Sequence, residues 1–124
     1  YEEAEAEQRA ALSLLETALG SDHPEVAMSR TSLAEALLEQ GRADDALALA
    51  ERAWDRRKRD DTPPERRART AFVLARILWR TDGPDRDRDR AKKLAQDALE
   101  SYRSASGAHA EDARHVQRWL QTHR

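Results

Sequence analysis

The 124-residue chain has no cysteine and no asparagine, one methionine and one phenylalanine, and aromatic residues make up only 5% of it. Without cysteine there can be no disulfide scaffold, thiolate nucleophile or cysteine-ligated zinc, and the composition suits a reducing, cytoplasmic setting. Long apolar runs are missing too. Nothing approaches the ~20 residues of a membrane span, and no signal-peptide pattern opens the sequence, so no membrane partner is expected. Charge of one sign is not in excess: the net charge of −2 gives no global basic field for nucleic acid, and any electrostatic function has to be patch-sized.

What the sequence has instead is charge of both signs, 37% of the residues, laid over a helical period. Ala4, Gln8, Ala11, Leu15 and Leu19 recur at 3.6-residue spacing, as do Val26, Arg30, Leu33 and Leu37 with Ala34. The same spacing returns in Ala46, Ala50, Ala53 with Leu47 and Trp54, and in Ala68, Ala71, Ala75, Leu78 with Phe72 and Trp79. It returns again in Ala91, Ala95, Ala98, Tyr102 with Leu94 and Leu99, and finally in Ala113, Val116 and Leu120 with Trp119. No segment sustains period-2 alternation, so the pattern predicts six helices and an all-α fold. A chain of this length makes one domain that buries roughly two thirds of its unfolded surface.

Short breaks separate the helices: Gly20 to Asp22, Gly41, Asp60 to Thr62, Asp82 to Asp85 around Gly83-Pro84, and Gly107. Loops so short force successive helices to run antiparallel. "DHPE" at 22–25 and "TPPE" at 62–65 share one logic, in which a side-chain oxygen caps, proline takes the first turn and glutamate closes a capping box. His23 is then an exposed first-turn residue rather than a catalytic or metal-binding one.

The helix pairs also repeat. "YEEAEA" at 1–6 lines up with "ADDALA" at 43–48, "SLAEALLEQG" at 32–41 with "VLARILWRTDG" at 73–83, and "DRAKKLAQDALE" at 89–100 with "DDALALAERAW" at 44–54. Alanines at these spacings let helix axes approach within the usual 8–10 Å, so each pair packs as a hairpin and neighbouring hairpins stack into a solenoid.

These residues resemble a tetratricopeptide repeat, a helix–turn–helix unit with small residues where helices touch. Ala18 to Trp54 is similar to the kinesin light chain type in particular, through Leu19-Gly20, Asp22-His23-Pro24, Val26-Ala27, Leu33-Ala34, Gly41-Arg42, Ala46 and Ala53. The resemblance implies an antiparallel helix-hairpin solenoid occupying 1–124 as one domain. Residues 1–19 would be the second helix of a truncated repeat, 24–60 a full repeat, 63–106 a divergent one and 108–122 a capping helix. That type of repeat carries asparagines on its first helices to hold a peptide backbone, and here Ser32 and Val73 stand in their places, so the resemblance carries the fold rather than that binding mode.

The later half, through Phe72, Leu74-Ala75-Arg76, Trp79, Tyr102 and Trp119-Leu120, also resembles the carboxy-terminal end of tetratricopeptide arrays attached to bacterial serine/threonine protein kinases. The chain itself has no glycine-rich phosphate loop, no "HRD" and no "DFG". The resemblances imply a non-catalytic, protein-binding scaffold without cofactor. It would be the regulatory or substrate-docking part of a larger bacterial signalling protein, or else a structural cap on a longer array.

The concave face of such a solenoid comes mainly from the first helix of each pair. Arg69, Phe72, Arg76, Trp79 and Arg80 would line it in the second repeat, and Met28, Thr31, Glu35, Leu38 and Glu39 in the first. Cation, aromatic and cation at helical spacing suit an acidic or aromatic-bearing protein segment. The same residues equally suit packing between repeats beneath a solvated arginine face. A first helix lacking its hairpin mate would also favour self-association between copies.

Other constellations point to structure. The cations of "WDRRKRDD" at 54–61 meet the carbonyl end of a helix, and their acidic flanks argue against nucleic acid. "DRDRDR" at 85–90 lacks the glycine and the glutamate of a calcium loop and reads as a helix start with local ion pairs. His109, His115 and His123 are spaced too widely for a metal pair on one helix, and His115 reads as an i, i+4 partner of Glu111.

Overall fold

The computed structural model describes residues 2–59, 61–82, 87–105 and 107–124. Tyr1, Asp60 and Ser106 lie outside them, as does the break read at Gly83-Pro84 with Asp85 and Arg86. The described residues form six helices and no strand: α1 (Glu2–Leu19), α2 (Pro24–Glu39), α3 (Ala43–Arg57), α4 (Pro64–Arg80), α5 (Arg88–Ser104) and α6 (Ala110–Thr122). The fold is the expected all-α stack of helical hairpins. α2 pairs with α3 and α4 with α5, α3 joins the hairpins by packing on α4, and α1 and α6 lie at the two ends against α2 and α5.

The turns follow from local chemistry, with two departures from the capping expected. Gly20 and Gly41 both take positive φ, 89° and 78°, a conformation in which any Cβ is strained. At the start of α2 the cap is His23, not Asp22: its Nδ1 accepts from the Glu25 backbone N–H at 3.1 Å, and Pro24 occupies the first turn. His23 is thereby half-buried. At α4 no side chain caps at all, because Pro63 holds the N-cap position and Thr62 stays outside the helix. Asp87 caps α5 by accepting from the Arg90 amide at 2.9 Å.

Small residues make the seams. Ala46, Ala50 and Ala53 of α3, Ala68, Ala71 and Ala75 of α4, and Ala91, Ala95 and Ala98 of α5 are all buried, which lets the helices close on one another. Leu33, Leu37, Leu74, Ile77 and Leu78 fill the spaces between, each worth about 1.5–3 kcal/mol of burial. α2 is buried on more of its circumference than one stripe allows, since it meets both α3 and α4. α1 differs from the expected stripe: its contact with α2 runs through Leu12 and the half-buried Leu15, while Ala4, Gln8, Ala11 and Leu19 are exposed. Leu14 is 71% exposed. Glu5 ties α1 to the start of α3 by pairing with Arg42.

A directed chain of hydrogen bonds crosses the core. Thr31 Oγ1 donates to the Ala27 carbonyl at 2.8 Å, which leaves it to accept from Thr70 Oγ1 at 2.9 Å. Thr70 then accepts from Arg57 Nη1 at 3.1 Å. Arginine can only donate, so every proton in the chain has one direction and α2, α3 and α4 are joined through buried polar groups without an orphan hydroxyl. Arg57, read from the sequence as one of the cations meeting the carbonyl end of a helix, is turned into the protein and 3% exposed.

Candidate functional site

α2, α4 and α6 bring one side chain after another to a common groove of about 250 Å³, lined by Glu35, Glu39, Arg69, Phe72, Arg76 and His115 among others. At its centre Glu35 accepts from Arg76 at 2.8 Å and from Arg69 at 3.1 Å, joining residues of neighbouring hairpins. Arg69 also donates to Ser32 Oγ at 3.3 Å. Burial alone would raise the Glu35 carboxyl, but the hydrogen bonds from Arg76 and Arg69 outweigh it and hold it below the ordinary 4.5. Glu35 is therefore ionised at neutral pH, and the trio keeps one net positive charge.

An aromatic cluster beside the groove joins α4 to α6. Phe72, 5% exposed, meets Trp119 edge-on at 5.8 Å and His115 edge-on at 5.4 Å, with the Arg76 guanidinium 4.8 Å from its ring centre. Trp79 meets Trp119 at 5.6 Å and His123 at 5.2 Å, and carries Arg88 at 4.4 Å over its face. His123 stacks on Trp119 at 4.2 Å. Such edge-to-face pairs each add about 0.5–1.5 kcal/mol to area burial, so α6 is held on α4 largely by rings. Tyr102 stands at the floor beside Asp112, and burial pushes its hydroxyl up to about 12.

Of the ten residues the sequence nominated, Arg69, Arg76, Trp79, Met28 and Glu35 are half-buried, and Arg80 and Glu39 are exposed. Thr31 and Leu38 are buried, at 0% and 2%, on the side of α2 turned to its neighbours, and cannot meet a partner. Phe72 is buried, 5% exposed, although its ring also reaches the lining of the groove. Arg80 alone among the nominated arginines makes no ion pair or ring contact with the described residues. His115 is not paired with Glu111, which takes Arg114 at 2.6 Å instead. Sequence reasoning missed Tyr102, Asp112 and His115 as groove residues, and Trp119 as the ring that packs behind Phe72. Their helical spacing marked a core stripe and a capping helix, but not the element across from them.

Among the described residues no cluster of histidine and carboxylate groups could hold a metal ion, and no helix is long and apolar enough to cross a membrane. Residues 1–59 match the family model for the tetratricopeptide repeat. None of the curated proteins compared matches the chain. Repeats of this family generally mediate protein–protein interaction and are generally non-catalytic.

Proposed function

We propose, taking the tetratricopeptide match over residues 1–59 as the premise, that this chain is a non-catalytic scaffold whose concave groove holds an acidic segment of a protein partner. The observation that carries the reading is the exposed Arg80, which makes no ion pair with the described residues and stands one helical turn beyond Arg76 on α4, while the groove arginines Arg69 and Arg76 share the Glu35 carboxylate between them. A partner carboxylate finds uncompensated cation there, with the half-exposed faces of Trp79 and Trp119 beside it as apolar anchors. Glu39 and Asp112, both exposed in the lining of the groove, discourage acidic residues beside them.

The likeness of Ala18–Trp54 to kinesin light chain repeats, and of the later half to kinase-attached arrays, supports a place as the docking or regulatory arm of a larger bacterial signalling protein. Arg80→Glu is the test variant, because Arg76→Glu would also leave Glu35 facing a like charge inside the groove. Glutamate-rich peptides carrying one aromatic residue should change tryptophan fluorescence saturably in the native chain, weaken with salt, and lose at least tenfold in affinity in Arg80→Glu. Equal affinity in both chains would sink the proposal.

A structural cap is the second reading, and the outer face of α6 favours it: Glu111, Arg114, Gln117, Arg118 and Gln121 are all polar and exposed. Absence of any peptide response, with α6 still required for stability, is the result that selects it. Self-association through the exposed leucines of α1 is compatible with either.

A further inference from the structure

Arg57 has half of its guanidinium unused. Its Nη1 donates to the Arg66 carbonyl at 3.2 Å and to Thr70 Oγ1 at 3.1 Å, which anchors the side chain among α2, α3 and α4. Nε and Nη2 have no hydrogen-bond partner among the described residues, and neither is sealed from solvent. No described carboxylate lies within ion-pair distance of Arg57, although only 3% of the residue is exposed. Nε and Nη2 are the two parallel donors that receive a carboxylate bidentately.

Arg57 lines a cleft of about 30 Å³ between the end of α3 and the starts of α2 and α4, with Arg56, Arg66, Thr62 and Asp61 in its walls. A water needs about 10–15 Å³ of such room, so the cleft has space for about two oxygen atoms. Asp61 does not neutralise it, because Asp61 is turned onto Arg56 at 3.1 Å and 3.5 Å. Arg66 is exposed and makes no ion pair with the described residues, and α4 begins here with no side chain capping it, adding the positive end of its dipole. Burial, with Arg69 and Arg66 close by and Glu25 the one opposing acid, draws the Arg57 guanidinium down to about 10, still charged at neutral pH.

We propose that this cleft binds a single carboxylate group, received edge-on by Nε and Nη2 of Arg57 and flanked by Arg66. Two oxygens fill the space available, and the charge they bring is the one the cleft lacks. The site lies at the end of the stack away from the Gly41 hairpin turn, built from residues that the concave groove does not use, so it stands apart from the binding proposed there.

The experiment follows the Arg57 Nε–H resonance by NMR during titration of the full chain with acetate, with chloride at equal ionic strength and inorganic phosphate as comparisons. Acetate should shift that resonance saturably while chloride does not, and Arg66→Gln should weaken acetate by roughly two- to fivefold, the order expected for one flanking charge at a partly exposed site. Arg57→Lys keeps the charge but removes the fork and should abolish saturable binding. If that variant fails to fold, Arg66→Gln decides. Equal responses to acetate and chloride, a response to phosphate without one to acetate, or native affinity in Arg66→Gln would each overturn the assignment.

Discussion

Replacing Trp119 by alanine should detach one helix and leave the rest of the stack standing. The indole makes edge-to-face contacts with Phe72 and Trp79 of α4, so two ring pairs at about 0.5–1.5 kcal/mol each are lost, or about 1–3 kcal/mol in all. Trp119 is half-buried, which places its area loss below the 3–5 kcal/mol seen for fully buried tryptophans; about 3 kcal/mol is a fair total. What remains to hold α6 is Val116, fully buried, with the half-buried Ala113 and Leu120 and the ring contacts of His115 with Phe72 and His123 with Trp79. A helix of 13 residues does not persist in water by itself, so it is either docked or unfolded. A loss of about 3 kcal/mol at about 1.4 kcal/mol per decade raises its opening equilibrium on the order of a hundredfold. Amide hydrogen exchange by NMR resolves this: protection across 110–122 should fall about a hundredfold, while Leu33 and Leu74 in the centres of α2 and α4 keep most of theirs. Equal losses in all three helices would mean that α6 does not open as a separate unit. Unchanged protection in α6 would mean that the rings do not hold it.

Glu35→Gln should cost about 1–3 kcal/mol at neutral pH, read from the urea midpoint, because two arginines lose their shared partner. Its pH dependence has a definite sign. A carboxyl held below 4.5 in the folded chain stabilises fully above that value and loses its contribution as pH falls through the lower folded one, so native stability should drop faster on acidification than that of Glu35→Gln. An identical acid slope in the two chains would count against the pairing. Ala95→Leu puts a larger side chain into a seam where Ala95 is 0% exposed and should lower stability by about 1–3 kcal/mol, seen as a reduced melting temperature. Leu14→Glu with Leu19→Glu should leave the unfolding midpoint within about 0.5 kcal/mol, since both leucines are exposed, while sedimentation shows any self-association abolished.

Much of the fold was legible because it is written at short range. The 3.6-residue stripes place all six helices, Gly20 and Gly41 mark turns that need positive φ, and the alanine rows announce close-packed hairpins. What the stripes leave open is the neighbour across each face. Thr31 and Leu38 have the angular position of groove residues, but α4 lies against that side of α2 and takes them into the core. The Glu35 pairs bridge 34 and 41 residues of sequence, and the Thr31–Thr70 bond 39, so local periodicity carries no trace of them. Arg57 shows the limit most clearly: in sequence it is one cation in a run, and only the fold separates it from Arg56 and Arg59, which reach outward to Asp22. The α1 stripe was misread by rotation, because a helix with so few neighbours buries a strip narrower than its apolar residues suggest.

The two ends of the stack are chemically unlike, α1 exposing Leu14 and Leu19 among alanines and charged residues and α6 presenting only charge and amide on its outer face. The two exposed leucines have nothing to gain from a hydrophilic face, so molecules meeting through them would not thread nose to tail into a growing fibre. Joined nose to nose they would shelter both sets of leucines about a twofold axis and leave polar surfaces outermost, which ends growth at two.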